Sequence, residues 1–259
     1  MRLSANLGFL WSELSLPEAI HAAKAAGFDA VECQWPFDTP VGDVGAALKA
    51  TGLPMLGLNT RRGDTAKGEN GLAAVPGREA DARAAIDEAI AYAAAIDAGA
   101  VHVMAGFAAG SDADRTFRDN LAYAAETASA HGIDILVEPL NRHDAPGYFL
   151  QTTDQAKALI EAVAAPNVKL MFDCYHVGRT EGDVTTRLKA LLPIIGHIQF
   201  ASVPDRGRPD EGELNYLLIF EILDALQWNR PLGAEYRPNE PTDDTLGWIP
   251  WARLGSGNA

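Results

Sequence analysis

The sequence predicts a single closed (β/α)8 barrel over residues 1–259. Short apolar runs of strand type alternate with segments of helical spacing along the whole chain, and there are eight such pairs. No Pro/Gly-rich linker or low-complexity block divides them, and 259 residues is an ordinary length for one barrel. An open sheet of six strands is the alternative that alternation alone leaves.

The elements follow in order. The first unit pairs the apolar run 3–7 with helical spacing over 16–26, and Gly27 sits where that helix must stop. The second pairs 30–33 with 41–50, stopped by Gly52. The third run, 55–58, enters an unusually long connection, 59–77, which carries four glycines with Arg61, Arg62 and Lys67. A mobile lid and a plain surface loop fit that connection equally well. The clearest helix follows over 78–98, where Ile86, Ile90, Ala93 and Ala94 repeat at three and four residues before Gly99. The fourth unit is 100–104 with 114–131 and Gly132; the fifth is 133–137 with 153–164. Units six to eight pair 168–172 with 183–192, 194–200 with 214–226, and 232–234 with 243–252, leaving a flexible tail from about residue 254.

Composition bounds the function. Apolar residues make up 47% and charged residues 22%, enough for a large core, and the formal net charge is −14. Neutralising phosphates needs a basic footprint, so nucleic acid and anionic membranes are not expected partners. The acidity itself reads as a solubility feature. Two cysteines, Cys33 and Cys174, make no disulfide framework and no CxxC zinc motif. The N-terminus lacks a signal-peptide core, and Asp97, Gly99 and His102 interrupt the most apolar stretch, 89–109, so a cytoplasmic protein is expected. Homo-oligomer formation is compatible with the sequence.

In a barrel the chemistry lies at the C-terminal ends of the strands. Run five closes on Glu138, run six on Asp173, run seven on Gln199 and run eight on Glu235, each about one βα unit from the next. These oxygen-bearing side chains point at one spot. Three carboxylates cannot share a dry cavity uncompensated, so either protons are retained or a divalent cation is held. Three carboxylates and one amide oxygen suit a hard ion, Mg²⁺ or Mn²⁺. His102 and His197 lie within strands and read as satisfied core groups. Phe9 and Trp11 could wall a pocket or simply pack in the core, and Cys174 has no basic partner that would activate it. There is no Gly-x-Ser-x-Gly elbow, Walker A loop or Gly-x-Gly-x-x-Gly fingerprint, so no nucleotide cofactor is implied.

The segments Val-Glu-Pro-Leu-Asn (137–141), Phe-Asp-Cys-Tyr-His (172–176), Gly-His-Ile-Gln-Phe-Ala (196–201), Gly-Glu-Leu-Asn-Tyr (212–216) and Gly-Ala-Glu-Tyr-Arg-Pro (233–238) resemble the hydroxypyruvate isomerase family. That family belongs to the xylose-isomerase-like TIM barrels, with sugar epimerases and endonuclease IV. Ser-Ala-Asn-Leu (4–7), Pro-Gly-Arg-Glu (76–79) and Asp-Ala-Pro-Gly-Tyr (144–148) fit the same resemblance, which therefore spans nearly the whole chain. Related 2-oxo-tetronate isomerases look much the same.

The resemblance implies that Glu138, Asp173, Gln199 and Glu235 hold a divalent metal, with Glu138 and Glu235 doubling as the acid/base pair. It implies that His176 hydrogen-bonds a substrate oxygen and that Arg206 pairs with the anionic or hydroxylated end of the substrate. Gln199 stands where sugar epimerases commonly have His, which favours the hydroxypyruvate-type branch. The expected activity is the interconversion of hydroxypyruvate, a small anionic hydroxy-keto acid, with 2-hydroxy-3-oxopropanoate (tartronate semialdehyde) by proton transfer through a cis-enediol. The alternatives are a 2-oxo-tetronate isomerase, a ketose or sugar-acid epimerase, an endonuclease-IV-like repair enzyme, and a non-catalytic metal or sugar-acid binder.

Overall fold

The computed structural model describes residues 1–254, and the expected tail lies outside the described residues. Eight parallel strands form one sheet: β1 Leu3–Asn6, β2 Ala30–Glu32, β3 Leu58–Asn59, β4 Ala100–His102, β5 Asp134–Val137, β6 Val168–Asp173, β7 Ile195–Phe200 and β8 Leu232–Ala234. Their order is β2-β1-β8-β7-β6-β5-β4-β3. The seam between the two ends is closed by backbone bonds. Val31 N–H donates to Pro54 O at 3.0 Å, Leu56 N–H to Val31 O at 2.8 Å, and Asn59 N–H to Gln34 O at 2.8 Å. The closed barrel expected from the alternation is therefore present.

The pleat sorts side chains into layers. Residues two apart on a strand share a face, so Leu136 and Glu138, Met171 and Asp173, and His197 and Gln199 point into the barrel together. At one level Ala100, Leu136 and Met171 form a small buried apolar plug. At the next level, at the strand ends, every inward residue is polar: Asn6, Glu32, His102, Glu138, Asp173, Gln199 and Glu235, all buried. Asp173 pairs with Gln199 across the sheet, and Gln199 pairs with Gly233, which holds these ends in register.

Around the barrel lie α1 Leu16–Ala25, α2 Val41–Thr51, α3 Glu79–Ala95, α4 Gly110–Ser129, α5 Thr153–Val163, α6 Cys174–Thr180, α7 Val184–Leu191, α8 Tyr216–Ala225 and α9 Ile249–Leu254. Gly52 ends α2 at φ +68°, where a side chain would be disfavoured. Three elements differ from the sequence expectation. Helix α4 begins at Gly110, before the apolar stripe that marked it. Short α6, too short to show a stripe, follows β6 directly. The last unit opens with a 3₁₀ turn, Thr242–Trp248, before α9.

The 59–77 connection is sewn down at its C-terminal half. Gly71 N–H donates to Arg62 O at 2.8 Å, Ala74 N–H to Ala105 O at 2.7 Å, and the Asn120 amide to Ala73 O at 2.8 Å. Residues 63–68 are exposed. Among the described residues no helix is long and apolar enough to cross a membrane.

Candidate active site

His102, Glu138 and Glu235 of the polar layer open, with His176 and Arg206, onto a cavity of about 330 Å³ at the C-terminal ends of the strands, and Asn6, Glu32 and Gln199 lie on a smaller space within the barrel that the same three also border. Glu138 follows β5, and among the described residues its Oε1 has no hydrogen-bond donor. Asp173 ends β6 and caps α6: Oδ1 accepts the Tyr175 N–H at 2.8 Å, whereas Oδ2 has no donor. On β7, Gln199 gives its Nε2 to Glu32 Oε1 at 2.7 Å, and its own Oε1 has none. Buried acceptors without donors are rare, and here neighbouring strands supply three. Glu235, after β8, is bound on both oxygens. Oε1 accepts from Asn6 Nδ2 at 3.0 Å and Gln34 Nε2 at 3.3 Å, and Oε2 from Arg206 Nη2 at 2.5 Å.

His176 lies on α6, directly above the Asp173 cap. Its Nδ1 accepts the Asn141 backbone N–H at 3.0 Å, which places the proton of the neutral ring on Nε2. That nitrogen lies 3.7 Å from Glu138 Oε1 and 3.6 Å from Asp173 Oδ2. Glu138, Asp173 and His176 offer atoms within 4.8 Å of one another, a spacing that could hold a metal ion. With Nε2 protonated, His176 is a donor rather than a ligand. The oxygens of Glu138, Asp173 and Gln199 are the free ones, a hard donor set that fits Mg²⁺ or Mn²⁺. Glu235 retains a lone pair on Oε2 beside Arg206.

Arg206 is buried, with φ at +55°. Its guanidinium lies over the Phe9 ring at 4.7 Å and the Tyr175 ring at 5.0 Å, and reaches Asp173 Oδ2 at 3.6 Å as well as Glu235. Its fork is thus directed at the chain's own carboxylates. Two other cations line the cavity. Arg62 lies over Trp35 at 4.9 Å with Nε on Asn70 Oδ1 at 2.8 Å, and exposed Arg237 helps, with Arg206, to hold the Asp144 carboxyl down.

Burial dominates the electrostatics. It pushes the Glu138 carboxyl well above the ordinary range, and the negative charges of Glu235 and Asp173 add to that rise. Asp173 and Glu235 are also raised by burial, with Arg206 pulling both back. Glu32 is buried too, but His197 and three hydrogen bonds outweigh the desolvation and lower it.

Several of these groups were not singled out by their sequence context: Asn6, Glu32, Gln34, Arg62 and Asn141. His197 is satisfied, its Nε2 2.7 Å from Glu32 Oε2. His102 differs from the satisfied core group expected. Among the described residues neither ring nitrogen has a hydrogen-bond partner, Nδ1 lies 3.6 Å from Glu138 Oε2, and burial pushes its pKa down to about 3, so the ring is neutral. Cys33 and Cys174 are buried thiols raised by desolvation, which leaves them unreactive. Trp11 packs in the core and hydrogen-bonds Asp243.

The chain resembles known proteins over nearly its full length. The profile of the xylose isomerase-like TIM barrel family matches residues 20–250. A 2-oxo-tetronate isomerase from Cupriavidus necator is 46% identical, covering 96% of this chain and 97% of its own. The hydroxypyruvate isomerase of Escherichia coli is 35% identical, covering 96% and 98%. Among solved structures, one from Brucella melitensis titled AP endonuclease, family 2 superposes with a TM-score of 0.93 at 38% identity, covering 96% and 98%.

Proposed function

Because this chain belongs to the xylose isomerase-like TIM barrel family, we propose that it is a divalent-metal-dependent isomerase of short 2-oxo acids carrying a hydroxyl on C3. The observation that carries this reading is that three neighbouring strands end in buried oxygens without donors among the described residues, on Glu138, Asp173 and Gln199, with the Glu138 and Asp173 carboxylates within 4.8 Å of each other. The simplest substrate is hydroxypyruvate, isomerised to 2-hydroxy-3-oxopropanoate. A second reading, isomerisation of 2-oxo-tetronate, is favoured by the relative at 46% identity and by a cavity roomy enough for four carbons. In both, the carbonyl and hydroxyl of C2 and C3 exchange places.

Glu138, Asp173 and Gln199, with the remaining lone pair of Glu235, would hold the cation. Bound there, it would supply Lewis acidity that makes the C3 proton of the hydroxy-keto substrate more acidic. The chain's own residues do the rest. One glutamate takes the proton from C3 and the C–H pair becomes the C2–C3 double bond, while the other carries the O3 proton to O2. The cis-enediol stage then collapses with C3 as the carbonyl, and the first glutamate gives its proton to C2. No electrons leave the substrate, so no redox partner is needed.

Unlike environments divide the labour. Glu235 is fixed by Arg206 at 2.5 Å, whereas Glu138 has His176 Nε2 at 3.7 Å, so the two carboxylates meet the substrate in unlike surroundings across the cavity. The Nε2–H of His176 is available to a substrate oxygen. Arg206 serves the substrate through Glu235, and Arg62 and Arg237 are the cations left for a carboxylate. A net charge of −14 disfavours a nucleic-acid substrate. The test is NMR of hydroxypyruvate and 2-oxo-tetronate with protein and Mn²⁺-free Mg²⁺ in D₂O. Isomer carrying deuterium at C2 is expected, and absence of both isomer and exchange for either acid would overturn the assignment.

A further inference from the structure

Glu32, at the end of β2, lies outside the four oxygen-bearing side chains just assigned to a cation. It is buried at 3% exposure, and both of its oxygens are taken. Oε1 accepts from Gln199 Nε2 at 2.7 Å and Asn6 Nδ2 at 2.9 Å, and Oε2 meets His197 Nε2 at 2.7 Å. An ionised carboxylate only accepts, so the Gln199 amide has a single satisfied orientation: NH₂ toward Glu32 and Oε1, which has no donor, away from it. The same Asn6 nitrogen donates to Glu235 Oε1 at 3.0 Å. Asn6 is fixed in its turn, because its Oδ1 accepts the Gly8 N–H at 3.0 Å.

Gly233 is what makes room. A Cβ there would lie 2.6 Å from Glu32 Oε2, 2.7 Å from Glu32 Oε1 and 2.9 Å from Gln199 Cγ. A carboxylate held by three donors cannot swing aside cheaply, so the bare backbone of β8 and the position of Glu32 belong together.

We propose that Glu32 is the positioning residue of this centre. It turns the Gln199 carbonyl oxygen toward the cation and, through Asn6, sets Glu235. The inference rests on reading the donorless oxygens as a divalent-cation site. Glu32 does not touch the cation; without it the Gln199 amide is free to rotate and present an N–H, which a cation repels.

The experiment is calorimetric titration of metal-stripped protein with MnCl₂, with thermal melts to verify folding. Outer partners of metal ligands are worth roughly 10–100-fold in affinity, and Glu32→Ala should lose that much. Glu32→Gln should stay within about threefold of wild type, because its carbonyl still accepts from Gln199 and Asn6 and its NH₂ can face the other tautomer of His197. Gly233→Ala, which keeps Glu32 but displaces it, should weaken binding by at least about tenfold. If Glu32→Ala fails to fold, the contrast between Glu32→Gln and Gly233→Ala decides.

Equal losses for Glu32→Gln and Glu32→Ala would mean that Glu32 acts by charge alone and would overturn its positioning role. Wild-type Mn²⁺ affinity in Gly233→Ala and Glu32→Ala would overturn it as well. Failure of the wild type itself to bind Mn²⁺ would overturn the cation site and this inference with it.

Discussion

Glu138 and Glu235 face one cavity from strands β5 and β8, yet only Glu235 has an arginine on it. Replacing either with Gln keeps its size and removes its basicity. Glu138→Gln and Glu235→Gln should fold normally and lose turnover by roughly 10²–10⁴-fold, read as deuterium exchange at C2 and C3 under saturating metal. Exchange at wild-type rates in both would exclude the two-glutamate mechanism. Asp173→Asn should act mainly on metal affinity, because the amide oxygen can still cap α6, and excess metal should partly restore activity. The two arginines should separate kinetically. Arg206→Ala frees Glu235 and should lower kcat, whereas Arg62→Ala removes a cation facing the substrate carboxylate and should raise KM about tenfold or more with little change in kcat. Steady-state kinetics with an anionic substrate decides between them. The strand-end rule that picks out Glu138, Asp173, Gln199 and Glu235 applies equally to Asn6 and Glu32, which also close apolar runs; the signal was there. Which member of such a ring holds another, and that Arg206 turns inward to Glu235, depends on distances that spacing along a chain does not carry.

At the scale of elements, most of the barrel was legible because long amphipathic helices and apolar strand runs write their period into the sequence. Helix α6 was not. Seven residues give no stripe, and the helix exists because Asp173 caps its first turn and β6 delivers the chain there. Likewise, the α4 start at Gly110 depends on backbone bonding rather than on its apolar face. In the 59–77 connection, where composition leaves a lid and a plain loop equally open, one glycine marks a close crossing. A Cβ on Gly71, at φ +108°, would meet Met104 O at 2.6 Å. Gly71→Ala should therefore cost more than the roughly 1–2 kcal/mol of a left-handed side chain alone, lowering Tm by several degrees in a scanning melt. Hydrogen exchange should divide the connection, with the amides of Gly71, Ala73 and Ala74 protected and those of 63–68 mostly fast. Uniformly fast exchange over the whole span would instead favour a lid.

For the whole molecule, the clustered carboxylates tie stability to pH. Burial raises Glu138 and Asp173 above their ordinary values of 4.5 and 3.8, so the folded state holds protons that the unfolded chain releases. Their contribution is fully present below those ordinary values and is lost as pH rises through the raised ones. Metal-stripped protein should accordingly lose Tm between about pH 5 and 8, and added Mn²⁺ should raise Tm most at the upper end of that window. A flat profile, the same with and without Mn²⁺, would remove the carboxylates from the argument. The cavity also divides its walls by position along the chain. The groups proposed to move protons and hold a cation, Glu138, Asp173, Gln199 and Glu235, all come from the second half of the barrel. Phe9, Gln34, Trp35, Asn59, Arg62 and Asn70, which also line the cavity, all come from the first. Such a molecule can change its diet without relearning its chemistry as long as Asn6, Glu32 and Gln34 stay in place: the rest of the loops after β1 to β3 is open to drift or to grafting from a relative, and a chimera that keeps those three would inherit its reaction from one parent and its appetite from the other.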